Sequence, residues 1–193
     1  ILNGTCNYIL TRMETSGLGY NEIFAEADAL GYLEADPNLD VGGIDAAHKL
    51  ALLAAIAFGK KVNFASVVVE GIDAITIEDI NAAADMGYRV KLLGVSQMTE
   101  LGLEQRMTPC LVSASSPLGQ LEGGTNMVIL EGQHSGQIVL RGAGAGEGPT
   151  ASAVLSDIID IARGQRMDTF GQPASSLLDA KPGTATTSAP FYL

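Results

Sequence analysis

Four carboxylates and one cation crowd into LEADPNLDVGGIDAAHK, residues 33–49: Glu34, Asp36, Asp40 and Asp45, then Lys49. Lys49 is the only Lys or Arg between Arg12 and Lys60, and a run of Ala, Leu and Ile follows it. Asp45 and Lys49 are four residues apart, so a helix puts them on one face. Asp40 and Asp45 fall near the start of that helix, where the backbone dipoles favour negative charge. A lysine in an apolar helix is costly to bury unless it is paired, and a paired carboxylate keeps it protonated. Two readings follow. The cluster is a structural ion pair, or Lys49 is a poised ammonium that donates a proton or holds an oxyanion. In the second reading a spare carboxylate such as Glu34 takes the amino group of a substrate.

Three other features bear on chemistry. GAGAGEG, residues 142–148, follows an expected strand and precedes an expected helix, a place where backbone N–H groups can approach an anion or a cofactor. It fails the dinucleotide fingerprint G-x-G-x-x-G, because the sixth position from Gly142 is Glu147. It reads either as a tight, closely packed turn or as a close approach to a ligand. At the start, NGTCNYI sets Asn3, Gly4 and Thr5 in a helix-start pattern, either a plain cap or a ligand-facing helix end. His48 and His134 are too isolated for a metal site; His48 reads as a core or interface histidine and His134 as an exposed turn residue. Glu78, Asp79 and Asp85 read as a solvated face.

Positioning these groups requires elements that the hydrophobic period marks out. Residues 3–16 and 19–30 read as helices, the second capped at Asn21 with Ile23, Phe24, Ala27 and Leu30 inward. Residues 32–43 read as a loop, since Pro37 forbids a helix interior. Residues 44–58 read as a buried helix, apolar nearly all round. FASVVVEGI is a short strand or a turn, and Thr76 caps a helix through Met86 with Asp79 as a weak capping box. The period then changes. YRVKLLGVSQ, GLEQRMTPCLVS, NMVILEG and GQIVLRG read as four strands in hairpin succession, followed by a helix over 151–163 and a Ser/Thr/Pro/Gly-rich arm or linker. The fold class is α+β, a mostly antiparallel sheet covered by helices, with a domain over 1–164 and an arm over 165–193.

Composition excludes several classes. The 193 residues carry a net charge of −11, against the basic face that nucleic acid needs. The longest apolar run, Leu50 to Gly59, is far shorter than the ~20 residues of a membrane span. Two cysteines, Cys6 and Cys110, give neither a disulfide framework nor a metal spacing, so a reducing cytoplasm is the expected compartment. Only 17% of the residues are charged, against about 25% for an average domain, which points to a large buried interface. The chain opens on Ile1 and stops within SAPFYL as a new apolar alternation begins, so both ends read as cut from a longer protein.

LGYLEADPNLDVGGIDAAHKLALLA resembles the signature of homoserine dehydrogenase, and NGTCNYILT and GAGAGEGPTASAVLSDIIDIAR resemble two further motifs of that family in the same order. The resemblance covers about residues 1–164 and implies interconversion of L-homoserine and L-aspartate 4-semialdehyde with NADP or NAD, in threonine, methionine and isoleucine biosynthesis. It implies that Lys49 is the catalytic lysine, with Asp45 beside it. Glu34 would hold the substrate amine, and Asp40, Tyr32, Thr5 and Gly4 would line the substrate pocket. Gly146, with Gly144 in the same alternation, would lie beside the nicotinamide. The family's nucleotide-binding domain, with its fingerprint and a second lysine, is absent from this sequence. A fragment of this kind is expected to be catalytically silent alone and to be a homodimer. The alternative is a non-catalytic assembly module built on the sheet.

Overall fold

The structure, a computed structural model, describes residues 1–33 and 36–183. Helix α1, Gly4–Ser16, starts at Asn3, whose extended backbone and side-chain oxygen cap it, and stops at left-handed Gly17. Helix α2, Tyr20–Ala29, is entered from Gly19, not capped at Asn21: the Gly19 N–H donates to the Glu22 carboxylate at 2.9 Å. Helix α4, Ile44–Phe58, lies between left-handed Gly43 and Gly59. Helix α5, Ile77–Asp85, carries a complete capping box, in which Thr76 Oγ1 accepts from the Asp79 N–H and the Asp79 carboxylate accepts from the Thr76 N–H.

The expected loop over 32–43 contains a short helix, α3, Pro37–Val41. Pro37 begins this helix and does not prevent it: in the first turn the missing N–H has no helical partner to lose, and the ring presets φ. Asp36 caps it, accepting from the Asn38 N–H at 3.1 Å. FASVVVEGI resolves into a 3-10 turn at Phe64–Ser66 and a two-residue strand β1, Val68–Val69.

The α+β class holds, with mostly antiparallel strands that divide into two small sheets. Strands β2, Tyr88–Thr99, and β3, Gly102–Ser113, form one antiparallel hairpin, and β1 joins β3 in parallel, giving the order β1-β3-β2. Strands β4, Thr125–Gly132, and β5, Gly136–Ala143, form a separate two-stranded sheet. Hairpin signals are local and do not say which hairpins share a sheet. The segment between them turns repeatedly, through Ser113, Ser116 and Leu118, and carries the chain away from β3 before β4 begins.

One cluster holds the main core: Cys6, Ile9, Leu10 and Met13 of α1, Ile23 and Ala27 of α2, Ala46, Ala47 and Leu50 of α4, and Val90, Leu92 and Met107 of the sheet. Gly94 makes the α4 contact possible, because a Cβ there would lie 2.6 Å from Met107 Cε and 3.2 Å from Leu50 Cδ1. A smaller cluster joins Ile1, Leu121 and Met127 with Leu93. Helix α4 is not buried all round. Ala46, Ala47, Leu50, Ala51, Ala54 and Ala55 face the core, whereas Leu52, Leu53 and Ile56 are exposed.

Strand β5 is exposed along its length, and helix α6, Glu147–Ala162, buries no residue although Val154, Leu155, Ile158 and Ile159 lie on it. This helix begins four residues earlier than its expected start, with Gly146 at its head. Beyond it, the chain returns to the body through bridges of Lys60 with Leu178 and Leu103 with Pro182. The apolar alternation that begins at SAPFYL falls outside the described residues.

Candidate functional site

Three helix starts converge on one group of polar side chains. Asp40 sits in α3, Asp45 and Lys49 in the first two turns of α4, and Asn3 at the head of α1. Lys49 Nζ donates to Asp45 Oδ2 at 2.6 Å. Asn3 Nδ2 donates to Asp40 Oδ1 at 2.9 Å and lies 3.4 Å from the same Asp45 oxygen that holds Lys49. Asp40 is buried, as is Asn3. The Cys6 thiol donates to the Asp40 backbone carbonyl at 3.2 Å, and burial, then the Asp40 and Asp45 carboxylates, push its pKa far above the usual thiol range.

The expected buried lysine is half-exposed: the Lys49 and Asp45 side chains retain 49% and 32% of their accessible surface. An ion pair so open to water contributes about 0–1 kcal/mol to stability. That weighs against a purely structural role, since the fold gains little from holding a lone cation there. The pair keeps an ammonium oriented and reachable from solvent, which is what a proton donor requires. The two aspartates differ in exposure, the Asp45 side chain at Lys49 being partly open to solvent and Asp40, joined to it through the Asn3 amide, being buried.

The other expected positions are placed as follows. Thr5 Oγ1 donates to the Tyr32 carbonyl at 2.9 Å, so the second residue of α1 holds the chain just before Leu33. The Tyr32 ring stacks on Tyr8, with centroids 4.4 Å apart and planes 16° from parallel. Tyr8 in turn donates through its hydroxyl to Glu26 at 2.7 Å, and Arg12 grips the same carboxylate through Nε at 2.8 Å and Nη2 at 2.9 Å. Arg12 first, then Tyr8, draws the Glu26 pKa down to about 2. Gly4 packs against the Gly124 backbone, where a Cβ would come within 2.7 Å of the carbonyl oxygen. Glu34, expected to take the amine, lies outside the described residues.

Gly144 is linked to this region through Asn126. A Cβ on Gly144 would collide with the Asn126 amide nitrogen at 1.8 Å, and that nitrogen faces the Leu2 carbonyl, one residue before Asn3, at 3.5 Å. Gly146, at φ +113, leads into α6, where a Cβ would meet only Pro149 Cδ at an ordinary 3.7 Å. The two glycines therefore divide the two readings of this loop: Gly144 is required by packing, whereas Gly146 leaves its backbone free for a ligand. His48 is not a core residue; it is exposed and stacks on Phe64 at 3.8 Å. Among the described residues no group of His, Cys, Asp and Glu could hold a metal.

Sequence reasoning missed Asn3 as a bridge between the two aspartates, and missed the Tyr8, Glu26 and Arg12 support beneath Tyr32. Tyr8 and Arg12 share a face of α1 at a spacing of four, which is a readable signal. Nothing local links Asn3 to Asp40, which is 37 residues away.

Residues 1–159 match the family model for homoserine dehydrogenase. Homoserine dehydrogenases of Pseudomonas aeruginosa and Neisseria gonorrhoeae are each 46% identical to the chain, over 87% and 88% of its length, and in both the match spans 39% of the relative. The chain thus spans about two fifths of the length of these curated relatives. Among solved structures, a homoserine dehydrogenase from Thiobacillus denitrificans superposes with a TM-score of 0.87 at 41% identity, covering 93% of this chain and 43% of that one. A hyperthermophilic archaeal homoserine dehydrogenase mutant in complex with NADPH superposes at 0.66 with 28% identity, covering 86% and 47%. The three motifs, the shared architecture and the family match agree, and the chain belongs to the homoserine dehydrogenase family.

Proposed function

We propose that this chain supplies the substrate-binding and proton-transfer half of an NAD(P)-dependent homoserine dehydrogenase, interconverting L-homoserine and L-aspartate 4-semialdehyde. The observation that carries the reading is the half-exposed Lys49 ammonium, held at 2.6 Å by Asp45, which the Asn3 amide joins to a buried Asp40. Aspartate 4-semialdehyde offers an ammonium and an aldehyde. Glu34 takes the ammonium. Reduction places negative charge on the aldehyde oxygen, and Lys49 stabilises that charge and gives its proton there. In the reverse direction Lys49 accepts the hydroxyl proton. Asp45 keeps Lys49 charged and aimed. Asp40, Tyr32, Thr5 and Gly4 shape the pocket around the substrate.

A nicotinamide nucleotide supplies or accepts the hydride when bound. The residues present fit such a group: Gly146 leads a helix whose first N–H groups are free of side-chain caps, and a Cβ placed on Gly142 or Gly148 would meet nothing within 4 Å. Gly146 and Gly144 would approach the nicotinamide end, with most of the nucleotide held by residues outside this chain. The hyperthermophilic archaeal relative was solved in complex with NADPH, which favours NADP.

The reading extends to a cytoplasmic enzyme of threonine, methionine and isoleucine biosynthesis. No helix among the described residues is long and apolar enough to cross a membrane, which agrees with that. It also extends to a homodimer through the 88–142 sheet region, because Leu130, Ile138, Val139 and Leu140 stand exposed on the β4–β5 hairpin. The same faces favour a second reading, an assembly module with no ligand of its own, and the two are compatible. Sedimentation of this chain at tens of micromolar is expected to give a dimer; a 20.0 kDa species would refute the interface.

The test of catalysis uses Lys49→Ala and Lys49→Arg in the full-length enzyme that carries this domain. Lys49→Ala is expected to lower kcat by about 10²- to 10⁴-fold with a small change in KM and in melting temperature. Lys49→Arg is expected to rescue poorly, because a guanidinium stays charged and gives up a proton reluctantly. Near-normal turnover with lost stability would make the cluster structural.

A further inference from the structure

The geometry points to Asn3 as a positioning residue for this reaction, a fixed amide that sets both site aspartates and, through Asp45, the lysine. The inference rests on the reading of Lys49 as the proton donor. Asn3 is buried, and its two amide atoms have divided tasks. Its Oδ1 accepts from the Cys6 N–H at 2.8 Å, the helix-capping bond of α1. A backbone N–H can only donate, so this bond fixes which end of the amide carries oxygen. The NH₂ end is then forced towards Asp40 Oδ1 at 2.9 Å and Asp45 Oδ2 at 3.4 Å.

An amide is suited to this position where the other favoured capping residues are not. Aspartate would cap α1 equally well but would bring a third carboxylate against Asp40 and Asp45. Serine and threonine would cap but could not reach two carboxylates. Only asparagine accepts from the helix at one end and donates to both acids at the other. Asp45 Oδ2 is also the atom that accepts from Lys49 Nζ, so the anchored amide and the ammonium share one carboxylate oxygen. Releasing the amide frees Asp45 to rotate, and the direction of the Lys49 proton goes with it. A displacement of about 1 Å at a reacting group is enough to cost about 100-fold in rate.

The experiment separates capping from positioning. In the full-length enzyme, Asn3→Ser keeps a cap and loses both donated bonds, whereas Asn3→Ala loses all three. Asn3→Ser is expected to lower the melting temperature less than Asn3→Ala does, because the cap remains although the acids lose their donor, while kcat falls about 10- to 100-fold, the equivalent of one charge-assisted hydrogen bond. Asn3→Ala is expected to show a similar kcat and a lower melting temperature. The decisive measurement is the double variant. On a Lys49→Ala background, Asn3→Ser should produce no further loss of kcat, because Asn3 acts through the lysine. Normal turnover in Asn3→Ser, or a full additional loss in the double variant, overturns the assignment. If Lys49→Ala alone keeps its turnover, the reading of Lys49 fails and the role of Asn3 falls with it; if Lys49→Ala loses turnover and Asn3→Ser does not, only Asn3 is misassigned.

Discussion

Replacing Lys91 by Met is expected to cost little stability at pH 7 and progressively more as pH rises. Lys91 lies in β2, 1% exposed, and donates to Asn7 Oδ1 at 2.8 Å and to the Leu121 carbonyl at 2.6 Å. Both partners are neutral acceptors, so the two hydrogens of an uncharged amine satisfy them. Burial, and next the Arg89 guanidinium, lower the Lys91 pKa to about 8, while Glu14 and Glu122 act weakly in the other direction. Below pH 8 the amine is protonated in the folded and unfolded chain alike, and the cost of burying an ammonium is fully present. Between pH 8 and about 10.5 the unfolded chain still holds the proton that the folded chain has released, so wild-type stability rises with pH. Across the whole window the gain approaches about 3 kcal/mol. Met keeps the stem volume but leaves Asn7 Oδ1 without its donor and the Leu121 carbonyl with the Asn7 amide alone, a loss of about 1–3 kcal/mol that is comparable with the burial cost removed at neutral pH. Urea unfolding of both proteins at pH 7, 8, 9 and 10 measures the difference, and ionisations common to both cancel. A stability gap that stays flat from pH 7 to pH 10 would refute the reasoning.

Two further substitutions test packing and capping. Gly144→Ala drives a Cβ into the Asn126 amide, so Asn126 must leave the Leu2 carbonyl; a loss of about 1–3 kcal/mol in chemical denaturation is expected, and an unchanged midpoint would show that the loop yields freely. Thr76→Ala removes one half of the α5 capping box and should cost about 1 kcal/mol in the same assay, with no effect on kcat in the full-length enzyme.

What could be read from the sequence follows the range of each interaction. The Asp45 and Lys49 pairing was legible because a spacing of four is a local property of a helix, and the same holds for the Thr76 box. The head of α1 was legible as a cap, but the second half of the Asn3 amide was not, because its partners lie in helices that only the tertiary fold brings near. Pro37 was misread because a rule about helix interiors was applied to a first turn. The four strands were found, yet their division into two sheets was not, since nothing in a hairpin names its neighbour. The apolar run after Lys49 suggested complete burial; Leu52, Leu53 and Ile56 remain exposed, because composition marks what wants cover and not what supplies it.

Ile1 and Met127 exchange backbone hydrogen bonds, with Ile1 N donating at 2.8 Å and Met127 N at 3.0 Å, and Asn7 reaches the Leu121 and Gly123 carbonyls nearby. These ties close a loop of more than a hundred residues around the first turn of α1. Contacts of such sequence separation carry a large closure entropy and form late. Asn3 keeps its local cap on Cys6 without β4, whereas the residues on either side of it are tied to β4 and to the segment that leads into it. A chain ending at Ser113 would contain every residue of the cluster, yet it would lack the β4 edge that fixes where α1 begins. The placement of the acids and the lysine therefore depends on a strand that carries none of them, and trimming the chain back to the cluster would remove a support that the cluster uses.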